Sequence, residues 1–211
     1  MVDDFPAAHS MDTEWFAVDA KGHVGLFQTG EGGMMPLGAG GGPGEVGQLA
    51  ELLRGRPLSD EDFEDYDAVL EEQARSGVFV FDYLEGWLEL YYPYALQHRP
   101  EKPLHVDELP PAVRKRVKAV RLASADFSSA EYVQPLGDVE CDFWWSEGVA
   151  YIAADGKTVK PMPGREAEFA DFCRNLRKRD PKETKGLIFE GVEDEPPAKP
   201  KPKPRRKKKG R

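Results

Sequence analysis

The chain has 211 residues, 40% of them hydrophobic and 32% charged, with a formal charge of −9; that is enough for one ordinary domain with an extension, or two small domains. No run approaches the roughly 18 apolar residues of a membrane-spanning helix, and Met1-Val2-Asp3-Asp4 lacks the basic and apolar regions of a secretory signal. The two cysteines, Cys141 and Cys173, are too few for a disulfide framework or a four-thiolate zinc site, so a cytoplasmic protein without a cofactor is expected.

Residues 14–28 read as a hairpin: Glu14 to Asp19 and His23 to Gln28 are strand-rich and flank Ala20-Lys21-Gly22, where glycine suits a short loop. Thr29 to Gly44 holds eight glycines in sixteen residues, and the composition predicts a flexible surface loop. A short helix is expected from Glu45 to Arg54, ended by Gly55. A second, over about 60–75, is marked by Ser59 as cap, by Leu58 and Phe63 at staple positions, and by Phe63, Tyr66 and Leu70 at helical spacing; its outer face is acidic.

Val78 to Leu84 and Trp87 to Tyr92 predict a second hairpin about Glu85-Gly86. Seven of the 22 aromatics lie between Phe79 and Tyr94, and both faces are apolar, as in central strands. Pro110-Pro111 opens a short basic helix through Lys118. Val139, Cys141, Phe143 and Trp145 alternate on one face of a strand. Val149 to Ala154 and Lys157 to Lys160 flank an Asp155-Gly156 turn. A last helix, about 165–178, aligns Phe169, Phe172, Cys173 and Leu176. Hairpins interspersed with three to four short helices, without βαβ alternation, predict an α+β fold with a mostly antiparallel sheet.

Charge is unevenly placed. Lys199, Lys201, Lys203, Arg205, Arg206, Lys207, Lys208, Lys209 and Arg211 form a basic run without an acid, leaving residues 1–198 with 38 acids against 20 bases. Prolines punctuate the run, so it is expected to be a disordered, polyproline-like tail over residues 193–211 behind one acidic domain, residues 1–192. Such a tail attracts polyanions: DNA, RNA, an anionic membrane surface, or the acidic helix of the same molecule. With no aromatic interleaved to stack on bases, any nucleic-acid binding is expected to be non-specific. A solubilising extension is the competing reading.

Motifs for chemistry are weak. Gly42-Pro43-Gly44-Glu45-Val46-Gly47 fits a dinucleotide pattern but lacks the preceding strand. Asp60, Asp62, Glu64 and Glu71 have a partial calcium-loop spacing, but Asp65 stands where the turn needs glycine. Cys141 and Cys173 read as buried hydrophobes, and His9, His23, His98 and His105 as surface or turn residues without metal-ligand spacing. Trp144 points opposite to Trp145 on a strand; it is either covered by a helix or exposed as a protein-binding anchor, and Trp87 and Tyr91 pose the same choice.

Ser10-Met11-Asp12-Thr13-Glu14-Trp15-Phe16-Ala17-Val18-Asp19, continuing through Gly22-His23-Val24 to Thr29-Gly30-Glu31, resembles the start of a group of uncharacterised bacterial proteins. It covers about a tenth of the chain and implies a bacterial cytoplasm but no activity. The leading expectation is a non-enzymatic protein-interaction or accessory protein, of immunity type, for an unknown protein partner. The alternatives are nucleic-acid association through the tail and an enzyme with a dispersed carboxylate site.

Overall fold

The computed structural model describes residues 14–30, 33–39, 51–53, 55–56, 59, 65–83, 93–142, 148–179, 181–182 and 184–192. They form an α+β architecture: two five-stranded sheets with helices packed on them. The first sheet contains β1 (Glu14–Val18), β2 (Val24–Gln28), β4 (Phe79–Tyr83), β5 (Tyr94–His98) and β6 (Tyr132–Val133), in the order β1-β2-β4-β5-β6. The second contains β3 (Met35–Pro36), β7 (Cys141–Asp142), β8 (Ala150–Ile152), β9 (Thr158–Pro161) and β10 (Ile188–Phe189), in the order β10-β9-β8-β7-β3. Most pairings are antiparallel; β2 with β4 and β9 with β10 are parallel. Among the described residues the helices are α1 (Tyr66–Arg75), α2 (Pro111–Val117), α3 (Glu166–Arg179) and a 3-10 turn at Val106–Glu108, and residues 51–53, within the helix expected from Glu45 to Arg54, are also helical.

The first sheet is apolar on both faces, and each face has its own cover. Phe16, Val18, Val24, Leu26 and Val78 pack under Val106, Leu109, Val113 and Val117 of the 3-10 turn and α2. α1 lays Leu70 and Ala74 on Val80. On the opposite side Trp15, Phe27, Phe79, Phe81 and Tyr94 meet Val120, Leu122, Phe127 and Val133. Trp15 stacks on Phe27 at 4.1 Å between ring centroids and Phe27 on Phe81 at 4.8 Å, with Tyr94 edge-on to both Trp15 and Phe27. The second sheet packs Cys141, Ile152, Val159 and Phe189 against Phe169, Cys173 and Leu176 of α3.

Several expected elements are met closely. β1 and β2 pair across the Asp19–His23 loop, and β8 pairs with β9 around Asp155-Gly156. The two basic-ended helices lie where proline opening and helical spacing place them. Both thiols are buried.

Three local expectations are corrected. β4 is flanked by β2 on one side and, antiparallel, by β5 on the other; the described partner strand begins at Tyr94, later than the sequence places it, and residues 84–92, with the expected turn at Glu85-Gly86, lie outside the described residues. The helix expected from about residue 60 starts at Tyr66, where the Asp65 carboxylate accepts from Ala68 N; residues 60–64 are outside the described set. Part of the glycine-rich segment is sheet and core: Met35-Pro36 pairs with β7, and Met34 is buried. Gly33 permits a close approach rather than a loose loop, because a Cβ there would lie 2.5 Å from Thr29 O and 2.8 Å from Tyr94 Oη.

Candidate functional site

The β1–β2 loop carries the densest group of ionisable side chains with ligand chemistry among the described residues. Asp19 leaves the end of β1 with its side chain wholly buried. Its Oδ1 accepts from Lys21 N at 2.9 Å and His23 N at 2.8 Å. Its Oδ2 accepts from Phe127 N at 2.9 Å and faces His23 Nδ1 at 3.0 Å. Three backbone donors and one imidazole fill the four acceptor directions of the carboxylate.

The segment after α2 is brought to this loop by backbone bonds. Val18 N donates to Val120 O, Leu122 N to Val18 O, and Ala20 N to Ala125 O. Asp126 then lies beside Lys21, whose Nζ is 2.8 Å from Asp126 Oδ2. Asp126 Oδ1 accepts from Ser128 Oγ at 2.5 Å and Ser128 N at 3.1 Å. Hydrogen bonding from the Lys21 ammonium, followed by that from Ser128, holds the Asp126 carboxyl well below the usual carboxylate range. The same contact with Asp126 raises the Lys21 ammonium above its ordinary value.

Asp19, His23 and Asp126 offer ligand atoms within 4.8 Å of one another, so they are the residues that could hold a divalent cation. Their present bonding serves another purpose. The Asp19 oxygens are already occupied by donors, and Lys21 places a positive charge on Asp126. A carboxylate can only accept, so the contact with Asp19 Oδ2 calls for a ring proton on His23 Nδ1. The cluster ties the hairpin loop to Phe127, whose ring is buried among Phe27, Phe79 and Phe81. It is a staple between hairpin and core.

The expectation of surface or turn histidines is corrected in part. The His23 and His98 side chains are only 19% exposed, and each faces an aspartate, Asp19 and Asp67 respectively. His105 does sit at a turn, capping the 3-10 segment through Asp107 N; His9 is outside the described residues. The sequence signal for the staple is the Asp19-x-x-x-His23 spacing across a short loop, but its third member lies far along the chain. Burial pushes the Cys141 thiol above its usual range and the Cys173 thiol up to about 12, which suits core residues rather than nucleophiles.

Trp144, Trp87 and Tyr91, the tail cations from Lys199 to Arg211, and the Gly42–Gly47 motif all lie outside the described residues. The exposed large hydrophobic residues among those described are Leu37, Leu52, Tyr132 and Ile188. Tyr132 is on β6 and Ile188 on β10, one of the two outer strands of each sheet. No described helix is long and apolar enough to cross a membrane. Comparison with family models, curated proteins and solved structures finds no match to this chain.

Proposed function

We propose that this chain works by docking with another protein, as a non-enzymatic accessory factor. The observation that supports the reading is the placement of Tyr132 and Ile188. Each is on a two-residue outer strand whose other residue, Val133 or Phe189, is anchored in a core. Tyr132 is 59% exposed and Ile188 58% exposed. A rigidly held strand that presents a large side chain to solvent loses little side-chain freedom when a partner covers it. Tyrosine combines apolar area with a polar tip, the combination enriched at protein interfaces. The ionisable cluster at Asp19 supports the reading from the other side, since its donors and acceptors are engaged in holding the fold.

The test is native purification of the tagged full chain beside the double variant Tyr132→Ser, Ile188→Ser. A specific protein retained by the wild type and lost by the variant, with the thermal midpoint unchanged, is the expected result. Equal retention by both chains would refute docking through these strands.

A further inference from the structure

We propose that His105 is a pH-sensitive latch, which fastens the start of the 3-10 turn to the β1–β2 loop while its ring carries one proton and releases the turn when the ring gains a second. This inference is independent of docking at Tyr132 and Ile188. The ring makes two contacts of opposite kind. Its Nε2 lies 3.1 Å from Lys21 O, a carbonyl that can only accept, so the contact calls for a proton on Nε2. Its Nδ1 accepts from Asp107 N at 3.2 Å, which calls for a lone pair there. One tautomer meets both demands; an imidazolium, with both nitrogens as donors, meets only the first.

The other described histidines respond in the opposite sense. His23 Nδ1 meets Asp19 Oδ2 and His98 Nε2 meets Asp67 Oδ1, each at 3.0 Å. A carboxylate takes a bond from a protonated ring nitrogen, so a second proton leaves these contacts intact. Of the three, His105 is the one that loses a bond on charging, and its side chain is 42% exposed, open to protons from solvent. Its ring also sits directly over Gly22, where a Cβ would come within 2.4 Å of Nε2. That seat leaves it little room for another partner on the loop side.

Charges of both signs face the ring. On the 3-10 turn, Asp107 Oδ2 is 3.5 Å from Nδ1, and Glu108 Oε1 accepts from His105 N at 2.9 Å. From α2 and its C-cap, Arg114 donates to Asp107 O, and Lys118 Nζ lies 2.8 Å from Asp107 Oδ1. On the β1–β2 loop the Lys21 ammonium is held by Asp126, and His23 is bridged to His105 through the backbone. A second proton, on Nδ1, therefore has the Asp107 carboxylate as its nearby acceptor, and turning to it gives up the cap at Asp107 N. The backbone bonds from Val24 N to Leu104 O and from Val106 N to Gly22 O do not involve the ring, so they persist while the turn loosens. That turn carries Val106 and Leu109 against Phe16, Val18 and Val24, and this cover of the first sheet is what acid loosens.

The experiment compares the full chain with its His105→Asn variant at about pH 8 and pH 5, the interval in which histidine ordinarily titrates. Asparagine is a favoured N-cap whose side-chain carbonyl accepts from the backbone at either pH. Both chains keep His9, His23 and His98, so the titration of those residues cancels in the comparison. Between the two pH values the thermal midpoint is expected to fall by about 2–4 °C more in the wild type than in the variant, the size of one lost cap. NMR of the wild type should place the ring proton on Nε2 at the higher pH and show the Asp107 amide resonance moving as the ring titrates. Equal pH dependence of the two midpoints, or a ring proton on Nδ1 at the higher pH, would overturn the proposal.

Discussion

Asp19 shows how a single carboxylate can hold two distant parts of a chain in register. Its oxygens accept from Lys21 N, His23 N and Phe127 N in a wholly buried position. Asp19→Ala leaves those amides without their acceptor, and an unsatisfied buried donor costs about 1–3 kcal/mol. A loss of about 3 kcal/mol or more in urea unfolding is expected. A loss below about 1 kcal/mol would contradict the staple. Asp155 illustrates the same chemistry at the surface, where Thr158 Oγ1 donates at 2.6 Å and the amides of Lys157 and Thr158 at 2.8 Å. The Thr158 bonds foremost lower its carboxyl to about 2. A depressed folded-state value stabilises the fold above the ordinary aspartate range, and this contribution fades as pH falls toward 2. In an NMR titration Thr158→Val is expected to move the Asp155 midpoint upward; no movement would show that the hydroxyl is not its chief partner.

Elements whose signals are local were the legible ones. The two hairpins combine strand formers with a short polar loop, and α2 and α3 carry proline opening and helical spacing. Pairings between distant segments were not legible: neither parallel contact, β2 with β4 or β9 with β10, has a turn between its strands to announce it. Composition also misled at residues 33–37, because glycine that admits a close backbone approach looks the same in sequence as glycine in a loose loop. The β1–β2 loop offers a test of that distinction. Gly22 has φ +86°, and a Cβ there would come within 2.4 Å of His105 Nε2, whereas Gly55, at φ +80°, has nothing within 4 Å of the same position. Gly55→Ala should cost about 1 kcal/mol from backbone strain alone. Gly22→Ala adds a clash with a ring fixed by Lys21 O and Asp107 N, and a loss of about 2–3 kcal/mol is expected. Equal losses by thermal denaturation would mean that His105 yields freely.

At the scale of the molecule, the two sheets are joined where β3 enters the second one. Met34 belongs to the core under α3, while Met35 packs against the aromatic core of the first sheet, and Val139 touches both. The α+β class was readable from alternating hairpin and helix signals, yet the division into two sheets follows from pairings that sequence spacing does not encode. The candidate site was less legible than the fold. Asp19 and His23 are neighbours in a readable hairpin, but Asp126 and Phe127 arrive only through the packing of residues 120–127 along β1. Tyr132 sits in a two-residue strand too short to leave a periodic signal, and burial of Val133 beside it fixes which side chain faces out.

The docking reading rests on those outer strands, and a photo-reactive amino acid placed at Tyr132, at Ile188 or at the exposed Lys102 addresses it directly. In living cells of the native host, one discrete adduct with the same protein is expected from positions 132 and 188 and none from 102. Absence of any adduct at 132 and 188, or equal labelling at all three positions, would contradict it.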